Sequence, residues 1–173
     1  KKRSKVIDGV AITGGEPTLH DGLIDFIKKI RDMNLKVKLD TNGYKPDVLR
    51  RILDEKLADY VAMDIKSGHT GYGLVSGVSG IDMGRIDESV NILVSGKTDF
   101  EFRTTVVPEL HNEDDFAEIA DWISGNEKYF LQGYKDSEMV YNREFSQPTP
   151  KLMERIRSIV LPKVPNTSIR GID

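Results

Sequence analysis

The chain has no cysteine among its 173 residues. That absence excludes disulfides, thiolate zinc sites and any iron–sulfur ligation supplied by these residues. Histidine is scarce as well: His20, His69 and His111 stand at no spacing that suggests a metal site. There is no surplus of positive charge, because 25 Lys and Arg stand against 28 Asp and Glu. The one basic run, "KKRSK", reads as a solvated end rather than a nucleic-acid surface. No apolar stretch is long enough to cross a bilayer, and the N-terminus lacks the apolar region of a signal peptide. A cytoplasmic protein with no nucleic-acid or membrane partner is the expectation. The chain also lacks an initial methionine; it opens on Lys1 and runs almost at once into "VIDGVAIT", from which we expect a natural start further upstream.

What is present is an ordinary globular composition and a regular alternation of short strands and helices over one domain, residues 1–173. "KVIDGVAIT" reads as a strand and "DGLIDFIKKIRDM" as a helix that buries Leu23, Ile27 and Ile30. "KVKLD" is a second strand, followed by a helix with Pro46 in its first turn and an apolar stripe of Leu49, Ile52 and Leu53. "YVAMDIK" is a third strand. The Gly- and Ser-rich stretch "SGHTGYGLVSGVSG" reads as a loop long enough to serve as a lid, a partner contact or a plain connection. A helix with Ile86, Val90 and Leu93 follows, then the strand "DFEFRTTVV", ended by Pro108. Asn112 caps a helix that buries Phe116, Ile119 and Ile123, stops at Gly125 and carries Trp122 as a packing residue. "YFLQ" is a fifth strand, Thr149-Pro150 opens a last helix, and "TSIRG" is a short final strand.

Strict β–α alternation implies a parallel α/β sheet with right-handed crossovers, open or closing toward a barrel. The strand period adds a second inference. Glu101, Arg103 and Thr105 share one face of their strand while Phe100, Phe102, Thr104 and Val106 share the other. Likewise Lys38 and Asp40 oppose Val37 and Leu39, and Ala62, Asp64 and Lys66 oppose Val61, Met63 and Ile65. A parallel strand covered on both sides by helices would be apolar almost throughout. One helix-covered face and one polar face instead describe a half-barrel whose lumen receives a polar ligand, because burying that many charges without one is costly.

Ligands of such folds collect at the carboxyl ends of the strands. Those ends carry "GGEPTLH", with Gly14, Gly15 and Glu16; then "DTNG", with Asp40, Thr41 and Asn42; then "MDIK", with Asp64 and Lys66; then Arg103 on the next strand. Two adjacent glycines allow a sharp turn with exposed backbone, and Glu16 can pin it. In this order and at these intervals the series resembles the radical S-adenosylmethionine superfamily, and within it the activases of glycyl-radical enzymes. The likeness is strongest to the activating protein of anaerobic ribonucleoside-triphosphate reductase, with the pyruvate formate-lyase activase group close behind.

The resemblance implies a partial (β/α)6 TIM-like half-barrel that is truncated at its N-terminal strand and helix. It implies that Gly14 and Gly15 hold the amino group of S-adenosylmethionine, with Glu16 in the same turn. Asp40, Thr41 and Asn42 would lie near the methionine carboxylate and ribose, and Lys66 and Arg103 would belong to the same cofactor site. Asp40 and Asp64 match two carboxylates that help hold a monovalent cation. Members also carry a 4Fe-4S cluster on Cys-x3-Cys-x2-Cys, which these residues lack. The parent protein is therefore expected to be a glycyl-radical activase, and this chain alone to be inactive and to bind the cofactor weakly. Two further readings stand beside this one: a radical S-adenosylmethionine enzyme acting on another substrate, and a cluster-free, non-catalytic protein that binds a ligand or partner. Loss of the first strand would leave "KVIDGVAIT" as an apolar edge through which two copies could pair.

Overall fold

The computed structural model describes residues 7–96, 98–125, 128–135 and 144–172. These residues form two compact units that interleave along the chain, one of residues 1–64 and 82–100, the other of residues 65–81 and 101–173.

The first unit alternates β1 (Gly9–Ile12), α1 (Leu23–Arg31), β2 (Lys36–Thr41), α2 (Pro46–Asp54) and β3 (Tyr60–Asp64), and is completed by a later helix. Its strands run parallel in the order β1, β2, β3, with Ile12 beside Leu39 and Asp40 beside Ala62. The expected alternation along β2 is present: Val37, Leu39 and Thr41 are buried while Lys38 and Asp40 are only partly so. Helix α1 buries Leu23, Ile24, Ile27 and Ile30, and α2 buries Leu49 and Ile52 behind Pro46 at its first turn. Strand β1 is shorter than its apolar sequence suggests. Ile7 and Asp8 precede it, and Lys5 and Val6 lie outside the described residues.

The second unit begins at Ile65. The expected loop of residues 67–80 contains a helix of little more than one turn, α3 (Tyr72–Ser76), which ends at Gly77 in a left-handed conformation. The chain then returns to the first unit for α4 (Met83–Ser95), capped by the Asp82 carboxylate. The second unit takes over within β4 (Asp99–Val106), from Glu101 onward, and continues with α5 (Glu113–Trp122), β5 (Lys128–Gly133), α6 (Pro150–Val160) and β6 (Thr167–Arg170). Its strands are parallel too, with Phe102 beside Tyr129 and Leu131 beside Ile169. Asn112 caps α5 through a full capping box with Asp115, and Thr149 caps α6. Helix α5 stops at Trp122, three residues before Gly125. Phe102, Val106, Phe116, Ile119, Tyr129, Leu131, Met153, Ile156 and Val160 form the buried core of this unit. Parallel strands joined by helices throughout match the expected partial (β/α) half-barrel class. No described helix is long and apolar enough to cross a membrane.

Candidate functional site

The turn after β1 is built on positive backbone angles. Gly14 has φ 93° and Gly15 φ 53°, and both residues are exposed with open space where a side chain would stand. These are conformations that glycine adopts without steric cost. Glu16 follows, is nine-tenths buried, and caps the 3-10 turn Pro17–Leu19. Its Oε1 accepts hydrogen bonds from the Thr18 N–H at 3.0 Å, the Thr18 hydroxyl at 2.5 Å and the Thr41 hydroxyl at 2.9 Å. Its Oε2 accepts from the Asn42 N–H at 2.6 Å. The carboxylate thus ties the glycine turn to the carboxyl end of β2, and charge-assisted bonds of this kind are the strong ones.

The end of β2 divides its residues. Thr41 is buried on the helix-covered face, donating to Glu16 and accepting from the Gly43 N–H at 3.1 Å. Asp40 lies on the opposite, partly open face, where Lys38 Nζ stands 3.4 Å from its Oδ1 and leans over the Tyr60 ring. Asn42 accepts the Tyr44 N–H at 2.9 Å on its side-chain oxygen, closing an Asx turn. Gly43, at φ 76°, gives its carbonyl to the buried Ser89 hydroxyl of α4 at 2.6 Å, and a side chain there would collide with Met63. Asp64 closes β3 on the same face as Asp40, since Asp40 is in register with Ala62.

In the second unit Arg103 is half-buried on β4, on the face that also carries Glu101. Glu101 is almost fully buried, and Arg170 of β6 reaches it with two guanidinium nitrogens at 3.2 and 3.3 Å while stacking on Phe130. Lys66 is half-buried, and its carbonyl is met by His111 Nε2 at 2.8 Å. A buried relay stands behind it: the Tyr129 hydroxyl donates to the Thr104 hydroxyl, which donates to the Ile65 carbonyl, each at 2.7 Å. Burial pushes the Tyr129 phenol far above its ordinary range.

The structure therefore gathers Glu16, Thr41 and Asn42 into one hydrogen-bonded group directly after the Gly14–Gly15 turn, with Asp40 and Asp64 on a shared face of the same unit. Lys66 and Arg103 belong to the other unit. Sequence reasoning missed Ser89, Glu101's partner Arg170, and the commitment of Thr41 to the turn. The alternation of β2 was a signal for the last, because it puts Thr41 and Asp40 on opposite faces. Among the described residues no group of three or more His, Asp or Glu side chains is placed to hold a metal ion. With no cysteine present, an iron–sulfur cluster does not fit these residues.

Residues 1–123 match the family described as the Radical SAM superfamily. A candidate glycyl-radical enzyme activating enzyme of Methanocaldococcus jannaschii is 31% identical over 173 residues, which is 96% of this chain and 72% of that protein. A crystallised domain of a pyruvate-formate lyase-activating enzyme from Bacteroides vulgatus superposes with a TM-score of 0.70 at 19% identity, over 94% of this chain and 99% of that one. Streptococcus suis SuiB, solved with S-adenosylmethionine bound, has a TM-score of 0.68 at 15% identity, over 94% of this chain and 39% of that one. The strand-end series thus sits on the same fold as these proteins, and with most of its length matched the chain belongs to the Radical SAM superfamily.

Proposed function

We propose that this chain is the part of a glycyl-radical enzyme activase that holds S-adenosylmethionine at the carboxyl ends of its strands. The observation that carries the reading is the open Gly14–Gly15 turn, fastened by Glu16 to the end of β2. The exposed backbone of that turn is free to meet an ammonium group, and Glu16 and Thr41 keep it in place. Asp40, Asp64, Lys66 and Arg103 supply the mixed charge that suits a zwitterionic sulfonium ligand, and Asn42 adds a neutral polar group. Asp40 and Asp64 together could hold a monovalent cation beside the ligand's carboxylate. When bound next to a 4Fe-4S cluster, S-adenosylmethionine supplies the radical chemistry of the superfamily. These residues bring no cluster ligand, so the chain by itself is inactive.

The activase reading is favoured over other members by the named relative from Methanocaldococcus jannaschii, of which this chain spans 72%. "DTNG" and "MDIK" favour the activases as a group, and for a partner we propose anaerobic ribonucleoside-triphosphate reductase because the strand-end series as a whole resembles its activating protein most. Calorimetric titration of the chain with S-adenosylmethionine should give weak, saturable binding that Asp40→Asn weakens further. Absence of binding sinks the reading, and submicromolar affinity would show that the site is complete as it stands. Light scattering with the anaerobic reductase and with pyruvate formate-lyase separates the partners, and a complex with the second alone overturns the first. We also propose that β1, which among the described residues pairs only with β2, lends its other edge to a second copy. A strictly monomeric chain at high concentration would remove that proposal.

A further inference from the structure

Helix α5 carries two stripes. The inward one, Phe116, Ile119 and Ala120, is core. The other starts just before the helix and runs His111, Asp115, Glu118, Trp122, at steps of four, three and four that keep one face. Each member holds a successive part of the segment that follows β3. His111 Nε2 meets the Lys66 carbonyl at 2.8 Å. Asp115 Oδ1 accepts the Ser67 hydroxyl at 2.8 Å, while its Oδ2 accepts the Asn112 N–H at 2.8 Å to close the helix cap. Glu118 accepts the Thr70 N–H at 3.0 Å and the Thr70 hydroxyl at 2.7 Å, and these two bonds hold its carboxyl below the usual range. The Trp122 ring lies 4.2 Å from that of His69 and edge-on to Tyr72. The approach is close enough that a side chain at Gly68 would come 2.6 Å from Glu118 Cβ.

His111 stands apart from the other three. The Lys66 carbonyl can only accept, so Nε2 carries a proton and donates it there. Nδ1 lies 3.1 Å from both the Val107 N–H and the Val107 carbonyl and, in the neutral ring, accepts from the N–H. One tautomer therefore satisfies two backbone groups, one just past β4 and one at Lys66. The helix does not need this ring for its cap, which Asn112 and Asp115 complete. We infer that His111 is a positioning residue for Lys66, fixing the carbonyl and with it the direction in which the lysine leaves the strand end. The inference rests on the reading of Lys66 as a contact of S-adenosylmethionine.

The test is calorimetric titration of the chain with S-adenosylmethionine, using Lys66→Met, His111→Ala, His111→Asn and the Lys66→Met/His111→Ala pair. His111→Ala is expected to weaken binding about fivefold, the value of one well-made hydrogen bond. His111→Asn, which keeps a donor and an acceptor, should recover most of that loss. The double variant should bind no worse than Lys66→Met alone, because His111 acts through the lysine. Hydrogen exchange at the Ser67 amide should accelerate in His111→Ala and return in His111→Asn. If Lys66→Met weakens binding but His111→Ala does not, or if the two losses add, the positioning role is wrong and the ligand reading stands. If Lys66→Met binds as the parent does, the ligand reading of Lys66 fails and the inference with it. His111→Phe, which keeps the ring and loses both nitrogens, makes the same comparison if the alanine variant does not fold.

Discussion

The turn after β1 hangs on a single buried carboxylate, whereas the segment after β3 is fastened along a whole helix face. Glu16 gathers donors from Thr18, Thr41 and Asn42 onto two oxygens. His111, Asp115, Glu118 and Trp122 instead spread a comparable set of contacts over Lys66 to Tyr72. A concentrated fixture gives a precise turn and fails at one mutation. A distributed one loses its hold by degrees.

The largest break is expected at Glu16. Glu16→Ala strands several buried donors at once and should cost about 3 kcal/mol. Chemical denaturation measures this, and Glu16→Gln should regain part by keeping one acceptor. Gly43→Ala comes next, at about 2 kcal/mol, because its positive φ and the neighbouring Met63 side chain both oppose a methyl group. A thermal-unfolding shift smaller than that of any surface variant would show the turn to be pliable. In the second unit Asp115→Ala should cost about 1.5 kcal/mol, since it removes a cap and one stitch while the remaining stitches hold. A loss equal to that of Glu16→Ala would erase the distinction between the two loops.

Tyr129→Phe, which cuts the relay to Ile65, should cost about 1 kcal/mol near neutral pH. Its pH dependence has a definite sign. Burial raises the folded-state pKa of this phenol, so its contribution is full below the ordinary tyrosine value of about 10 and is lost as pH rises beyond it. The alkaline limb of the stability curve should therefore be shallower in Tyr129→Phe. The smallest effect belongs to Leu74 of α3, which is 74% exposed. Leu74→Ser should change stability by less than about 0.5 kcal/mol. A larger loss would extend the fastened segment beyond Tyr72.

The β/α order was legible because apolar residues recur at helical spacing in α1, α2 and α4 and alternate along β2. Asn112, Thr149 and Pro46 marked three helix starts because cap chemistry is local. Helix α3 was hidden, since "YGLVS" is too short for a period and lies among residues typical of loops. Of the candidate site, the chemistry-bearing residues were visible at the strand ends, but their division of labour was not. Glu16 is legible as a residue able to pin the glycine turn, but Thr41 looks like a ligand contact in sequence, and only the distance between them shows that the two bond each other. The second stripe of α5 has the same period as the first. It went unread because a polar stripe on a helix is ordinarily solvated, and nothing in its residue types says which backbone it will meet.

The interleaving of the two units carries a consequence for biosynthesis. When the first 64 residues have left the ribosome, the first unit has its strands but not α4, which supplies the Ser89 hydroxyl to the Gly43 carbonyl. The "DTNG" turn must then wait while the chain makes the excursion of residues 65–81 that belongs to the other unit. Neither unit can be released by a single cut, and each closes only after part of its companion has been synthesised. A nascent chain halted before residue 82 should leave that turn unlocked and open to proteolysis, while one extended past α4 should protect it.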